Sequence, residues 1–117
     1  MTVNIYDDLN KLEETFRKTD EFAEVQNAIE TVVADEEAAK LFKNFREVQV
    51  ELQQKQMQGE EIDAEELENA QSIAQLAQEN EKIMAMLQAE MKLSGLIDEV
   101  NRVLMKPVQD IYEKLNA

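Results

Sequence analysis

The sequence contains no cysteine, no histidine and no tryptophan among its 117 residues. Without thiols or imidazoles it cannot form a disulfide, an iron–sulfur ligand set, a thiolate or imidazole metal site, or a Cys–His dyad. It also lacks the side chain that most often acts as a general base near neutral pH. We therefore expect no cofactor, no metal site and no catalytic residue.

Turn-forming residues are almost as scarce. The chain has two glycines, Gly59 and Gly95, and one proline, Pro107. These are too few for a sandwich or barrel of many short strands, and the remaining composition is dominated by strong helix formers. The sequence predicts one all-α domain over residues 1–117, an elongated helical hairpin or bundle of about five helices.

Long apolar runs are absent, and so is an excess of basic residues. No stretch approaches the roughly 18 apolar residues that a membrane span needs, and the N-terminus does not resemble a signal peptide. The formal net charge of −14 disfavours direct contact with nucleic acid or with an anionic membrane. The acidic surface could recruit a basic partner, but a solvated surface that keeps the protein soluble is the favoured interpretation. We expect a cytoplasmic protein.

Apolar residues recur at helical spacing along the first third of the chain. Asn4 can cap a first helix whose stripe is Ile5, Leu9, Leu12 and Phe16. Thr19 and the two acids after it are typical of a second helix start. No residue between the two segments excludes a helix, so the pattern leaves open whether they are separate or one bent rod.

The central third predicts a helical hairpin. Asp35 starts a long third helix, whose seam, spaced three and four residues apart, consists of Ala38, Leu41, Phe45, Val48 and Leu52. Gly59 is the natural left-handed residue that ends this helix. Asp63 and Glu66 have the spacing of a capping box, which predicts a fourth helix.

The last third predicts a long, kinked fifth helix with two different environments. Residues 83–91 are apolar on most sides, which indicates burial between at least two neighbours, whereas residues 93–104 are apolar on one face. Pro107 cannot donate to the helical ladder, so a kink or break is predicted at Lys106. A short amphipathic segment with Val108, Ile111 and Leu115 is expected to follow.

The apolar stretch 83–91 is hard to cover within a thin helical chain. It predicts a homodimer or higher oligomer to which the fifth helix contributes, with Ile83, Met84, Leu87 and Met91 as candidate contacts with a second copy or a partner. Met84, Met86 and Met91 could form an adaptable recognition surface. Packing in the core or in a self-association interface is the favoured interpretation.

Other motifs carry little chemistry. The acidic run at residues 60–68 lacks the alternating ligands and central glycine of a calcium loop, so helix capping and a solvated face explain it better. Ser72 and Ser94 have no local base and no nucleophile elbow. The sequence therefore predicts a protein that is not an enzyme.

The central segment resembles a known family. Residues 35–46, DEEAAKLFKNFR, and residues 52–62, LQQKQMQGEEI, are similar to the YlbF/YmcA/YheA-like proteins of Gram-positive bacteria, with the YheA branch most alike. The resemblance covers nearly the whole chain and implies an all-helical, oligomer-forming cytoplasmic protein. Better-studied relatives act as non-enzymatic members of complexes in competence, sporulation, biofilm formation and RNA processing. Some hold an iron–sulfur cluster through cysteines, which this chain lacks.

These observations predict a non-enzymatic interaction or regulatory module, a helical homo-oligomer that binds another cytoplasmic protein. One alternative is a prefoldin-like holdase, which would present apolar helical tips to unfolded clients. The predicted tip around Gly59 is instead polar, with the sequence QKQMQGEE. A purely structural oligomer is the other alternative. An enzyme would need convergent polar groups in a pocket, for which the sequence offers no candidate set.

Overall fold

The computed structural model describes residues 3–116, which form five α-helices and no strand. The helices are α1 (Ile5–Arg17), α2 (Asp20–Val33), α3 (Glu36–Gln58), α4 (Ala64–Glu79) and α5 (Glu81–Glu113). The predicted all-α class, the five helices and the long third helix of 23 residues are confirmed.

Side-chain caps explain where the helices start. The Asn4 side chain accepts a hydrogen bond from the backbone N–H of Tyr6, and the Asp63 carboxylate accepts one from that of Glu66 at 2.8 Å. Asn80 caps α5 by accepting from the N–H of Ile83 at 3.1 Å. Each cap satisfies a donor that has no partner within the helix.

Thr19 separates α1 from α2 and answers the question that the sequence left open. Its hydroxyl donates to the carbonyl of Phe16 at 2.7 Å and accepts from the N–H of Phe22 at 3.2 Å. One side chain thus serves the end of α1 and the start of α2. The first two helices are therefore separate.

Gly59 ends α3 as predicted. Its φ of 74° lies in the left-handed region, where a residue with a Cβ is strained. Its N–H donates to the carbonyl of Gln56 at 3.3 Å, and the N–H of Glu60 donates to that of Lys55 at 2.9 Å. These two bonds satisfy carbonyls that the helix end would otherwise leave open.

Of the kink or break predicted at Lys106, the break is wrong, and the kink stays a prediction. α5 continues through Pro107 to Glu113 and has 33 residues, so Val108 and Ile111 belong to α5 itself. Proline removes the hydrogen bond that the carbonyl of Val103 would receive. Because all residues from 101 to 116 are exposed, water can solvate that carbonyl, and the helix tolerates the loss.

The chain divides into two compact units, and the prediction of a single domain stays a prediction. Unit 2, residues 26–88, holds a core in which Val32, Ala38, Ala77, Ile83 and Met86 are buried. Phe42 and Phe45 pack against this core with ring centroids 6.3 Å apart.

Unit 1 comprises the residues up to Val25 together with those from Ala89 onward. Val25 and Ala89 are its buried apolar residues among those that the structure describes. Twenty large apolar side chains are exposed between residues 3 and 116, and fourteen of them belong to unit 1. Most of the large apolar side chains that the structure describes in unit 1 are therefore exposed.

Candidate interaction surface

The distal part of α5 carries an apolar stripe along one helical face. We call this set the distal stripe: Ile97, Val100, Leu104, Val108 and Ile111. Their spacings of three and four residues keep them on one side of the helix. Leu104 is 55% exposed and Ile111 is 65% exposed. These side chains are ordered on a helix but remain in contact with water.

α1 carries a second, narrower stripe in the same unit. Ile5, Leu9 and Leu12 recur on one face and are 53%, 43% and 42% exposed, and no residue of α1 is fully buried. A short helix in water is only marginally stable unless an apolar face packs against something. α1 therefore has an incomplete set of neighbours within the described chain.

Within unit 1, the two stripes flank a shallow groove of about 240 Å³. The groove is lined by Leu9, Leu12, Glu13, Phe16, Ile97 and Val100. Five of these side chains are apolar, and Glu13 forms an ion pair with Arg17 at 2.7 Å. Such a lining suits an apolar side chain from another helix and offers no convergent polar groups for catalysis.

The charged side chains of distal α5 lie away from the distal stripe. At about 100° per residue, residues 97–113 divide into an uncharged arc of roughly 200° and a polar arc. The polar arc contains Asp98, Glu99, Arg102, Lys106, Gln109, Asp110 and Glu113. A partner that covers the uncharged arc therefore buries no carboxylate and no ammonium group.

The four candidate contact residues are in different environments. Ile83 is fully buried in the core of unit 2, and Met84 and Leu87 are half-buried. Met91 is 74% exposed. Burial leaves Ile83 unavailable to another molecule in this conformation, whereas Met91 is available. Their role in self-association or partner binding stays a prediction.

The environment of residues 83–91 also differs from the predicted one in detail. Ile83, Met86 and Ala89 are buried, but Ala85 and Gln88, like Met91, are exposed. Every third residue of this stretch therefore faces water. Alanine and methionine are compatible with either environment, which is why the pattern overstated the burial.

Two ion pairs in unit 2 are structural. Asp35 accepts a hydrogen bond from Nζ of Lys82 at 2.9 Å and others from the N–H groups of Ala38 and Glu37. These donors lower the pKa of the Asp35 carboxyl group below its ordinary value. Lys55 forms an ion pair with Glu66, and that hydrogen bond raises the pKa of the Lys55 ammonium group. The Asp35–Lys82 pair connects the N-terminal cap of α3 with α5, and the Lys55–Glu66 pair connects α3 with α4.

Potential metal ligands do not cluster in the part of the chain that the structure describes. Residues 3–116 contain no group of three or more His, Cys, Asp or Glu side chains that could hold a metal ion. Ser72 and Ser94 are both exposed. Because the sequence has no cysteine, its residues do not fit an iron–sulfur cluster. None of the helices in the described range is long and apolar enough to cross a membrane.

Sequence reasoning missed the distal stripe as a surface. The prediction stopped the fifth helix at Lys106 and assigned Val108 and Ile111 to a separate segment. The signal was present, because Leu104, Val108 and Ile111 continue the spacing of Ile97 and Val100 across Pro107. An unbroken apolar period outweighs one proline when the helix is exposed on its other side.

Comparison with known proteins places this fold among small bacterial proteins. A UPF0342 protein of Lysinibacillus sphaericus is 60% identical over 113 residues, which cover 97% of this chain and 98% of that protein. A protein of unknown function (DUF964) from Bacillus stearothermophilus superposes with a TM-score of 0.81 at 35% identity, covering 92% and 95% of the two chains. YheA from Bacillus subtilis superposes with a TM-score of 0.73 at 35% identity, covering 94% and 100%.

A more distant structure shares the fold. Bacillus subtilis RicA, crystallised in complex with RicF, superposes with a TM-score of 0.71 at 19% identity and covers 96% of this chain and 99% of its own. A family model described as control of competence regulator ComK, YlbF/YmcA, matches residues 5–109. That description concerns regulation and mentions no reaction. On this match and on the 60% identical relative, the chain belongs to the YlbF/YmcA family.

Proposed function

We propose that this protein is a non-enzymatic interaction module of the cytoplasm, a helical homo-oligomer that binds another protein. The observation that carries the proposal is the uncovered apolar surface of unit 1, where α1 has no buried residue and residues 101–116 are all exposed. Water-exposed apolar patches of this kind on ordered helices are typical of protein interfaces.

The family supports this role. Its description concerns control of a competence regulator, and RicA, which shares the fold, was crystallised with a protein partner. A regulator that works by binding needs surfaces and not reactive groups. The lining of the groove, which is apolar apart from Glu13, agrees with that requirement.

Among the four candidate contacts, Met91 is the side chain to test for partner binding. It is 74% exposed and lies on the same helical face as Asp98, two turns away, and away from the distal stripe. A methionine in that position can adapt to a partner of irregular shape. Self-association and partner binding can then use different faces of α5.

The test is affinity capture with crosslinking from the native cytoplasm, with the tagged full chain and its Met91→Glu variant. Met57→Glu is the matched control, because Met57 is 81% exposed and lies in unit 2. We expect one reproducible partner with wild type and with Met57→Glu, and at least a tenfold weaker yield with Met91→Glu. Circular dichroism should show the same helix content in all three.

Each outcome has a separate meaning. A partner retained by Met91→Glu would contradict Met91 as a contact and leave the module intact. No reproducible partner with wild type would contradict the partner-binding role; an oligomer would then be purely structural. Suppression of client aggregation would favour the holdase, although the large exposed apolar residues of the described chain nearest the polar turn at Gly59 are few: Val50, Met57 and Leu67.

A further inference from the structure

The distal half of α5 is a helix without a buried residue. Residues 101–113 are helical, and every one of them is exposed. These residues continue α5, so no new helix has to be nucleated, but Pro107 removes one hydrogen bond and no buried apolar side chain of residues 101–113 offsets that loss. A segment of this kind becomes stable when its apolar face is covered by a partner.

The width of the uncharged arc indicates more than one neighbour. The arc of residues 97–113 spans roughly 200°, and it contains Ile97, Val100, Asn101, Val103, Leu104, Met105, Pro107, Val108, Ile111 and Tyr112. A helix that packs against a single partner needs a stripe of only about 100°. Within unit 1, α1 reaches the arc at Ile97 and Val100, where the two helices flank the groove.

The charge pattern favours a second copy of the same chain over a partner of opposite charge. Two molecules of net charge −14 repel each other, and they can approach most easily where neither presents carboxylates. The arc of α5 meets this condition because it contains no charged residue, and beside it Glu13 in the groove is paired with Arg17. An uncharged arc also gives a basic partner no electrostatic attraction, so the acidic surface does not direct one here.

The exposed apolar area of unit 1 is also large enough for a stable dimer interface. A standard interface buries about 800 Å² on each partner. In unit 1, α1 and distal α5 present large side chains that are 40–73% exposed: Ile5, Tyr6, Leu9, Leu12, Ile97, Val103, Leu104, Met105, Val108, Ile111 and Tyr112. Eleven such side chains can supply an area of that order.

We propose that two copies associate through unit 1, so that α1 and distal α5 of one copy and the same two segments of the other form a four-helix bundle. In such a bundle each helix contacts two neighbours, which matches the 200° arc. The distal stripe of one copy covers that of the other and the groove beside α1. This inference rests on the proposed function, since it identifies the homo-oligomer and its contact face.

The test is sedimentation equilibrium of the full chain and of the double variant Leu104→Glu/Ile111→Glu. Both positions are exposed within one chain, so the variant keeps the core of unit 2 intact. Wild type should sediment at twice 13.5 kDa. The double variant should sediment as a monomer, with a dissociation constant raised by about 100-fold or more, because two carboxylates per chain would be buried without partners.

The matched control is Val50→Glu/Met57→Glu, which changes two exposed apolar residues of unit 2 and should leave the dimer unchanged. The absence of native cysteine allows a second readout. Three variants, Leu104→Cys, Val108→Cys and Ile111→Cys, each carry one cysteine. A short bis-maleimide linker should crosslink two copies of at least one of these variants, whereas it should not crosslink Met57→Cys.

A monomeric wild type, or a double variant that keeps the dimer mass, would overturn this interface. These results are independent of the capture experiment. A monomer that still captures its partner would overturn the bundle and the homo-oligomer while partner binding stands. A dimer that captures nothing would support the bundle and contradict partner binding.

Discussion

Ile83 is the largest side chain that is fully buried in the described residues. It contacts the core of unit 2 and presents no surface to solvent. We expect Ile83→Ala to lower the free energy of unfolding by about 2–5 kcal/mol, because the cavity adds to the lost transfer free energy. Urea denaturation followed by circular dichroism measures this loss.

Met57→Ala is the control for this prediction, since Met57 lies in the same unit and is 81% exposed. Its change should stay within about 0.5 kcal/mol. If Ile83→Ala were as mild as Met57→Ala, the core assignment of Ile83 would be wrong and a contact role would regain support.

Asp35 combines a helix cap with an ion pair, and its variants separate the two. Asn keeps a capping oxygen but loses the charge, whereas Ala loses both. At neutral pH we expect the melting temperature to fall in the order wild type, Asp35→Asn, Asp35→Ala. Thermal melts of the three proteins test the order, and equal values for Asn and Ala would show that the cap contributes nothing.

The same carboxylate makes stability depend on pH. The hydrogen bond from Lys82 and those from the Ala38 and Glu37 N–H groups lower its pKa in the folded state below 3.8. Its contribution is therefore complete well above pH 3.8 and is lost as the pH falls through the lower folded pKa. The advantage of wild type over Asp35→Asn should shrink over that acidic range. A constant difference in melting temperature would contradict the assignment.

Replacing each of the two glycines with alanine should change the stability of the protein in opposite directions. A Cβ at either position would meet no atom within 4 Å, so sterics do not decide the outcome. Gly59 has a φ of 74° at the end of α3, and alanine there should cost about 1 kcal/mol. Gly95 lies inside α5, where alanine should add about 0.5–1 kcal/mol.

The midpoints of urea denaturation of Gly59→Ala and Gly95→Ala, compared with wild type, measure these two changes in stability. Within the single chain, no atom lies within 4 Å of a Cβ at Gly95. A destabilising Gly95→Ala would therefore mean that a second chain approaches the helix closely at that point. A neutral Gly59→Ala would mean that the end of α3 relaxes out of the left-handed conformation.

Local signals predicted the elements well because caps act within a few residues. Asn4, Asp35 and Asp63 each start the helix that the sequence assigned to them, and Gly59 ends α3. The continuation of α5 through Pro107 was not predictable by the same rule, because it depends on solvent exposure of the neighbouring backbone. Propensity is local, and exposure is a tertiary property.

The candidate interaction surface was harder to predict from the sequence, because exposure of an apolar residue depends on tertiary packing. Ile83 and Leu104 are both apolar residues at helical spacing, yet one is fully buried and the other is 55% exposed. Periodicity identifies a face but does not say whether the same chain covers it. The distinction required the positions of all the helices in each unit.

At the scale of the whole molecule, charge dominates the response to salt. A net charge of −14 repels itself within one chain, whereas the exposed ion pair of Lys92 with Glu24 contributes little. We expect a higher melting temperature in about 0.5 M NaCl than in about 0.02 M, because screening weakens the repulsion. Calorimetry at both concentrations, repeated with KCl, tests this, and a fall with salt would contradict it.

The division of the chain into a continuous unit and a divided one determines the order of folding during translation. Unit 2 is a single stretch, residues 26–88, whereas unit 1 draws on both ends of the sequence. A ribosome delivers residues from the N-terminus onward, so α1 emerges first but must wait for Ile97 and Val100 of α5, which follow unit 2 in the sequence. We therefore expect unit 2 to fold before unit 1, with the apolar stripe of α1 exposed to chaperones and to neighbouring nascent chains through that interval.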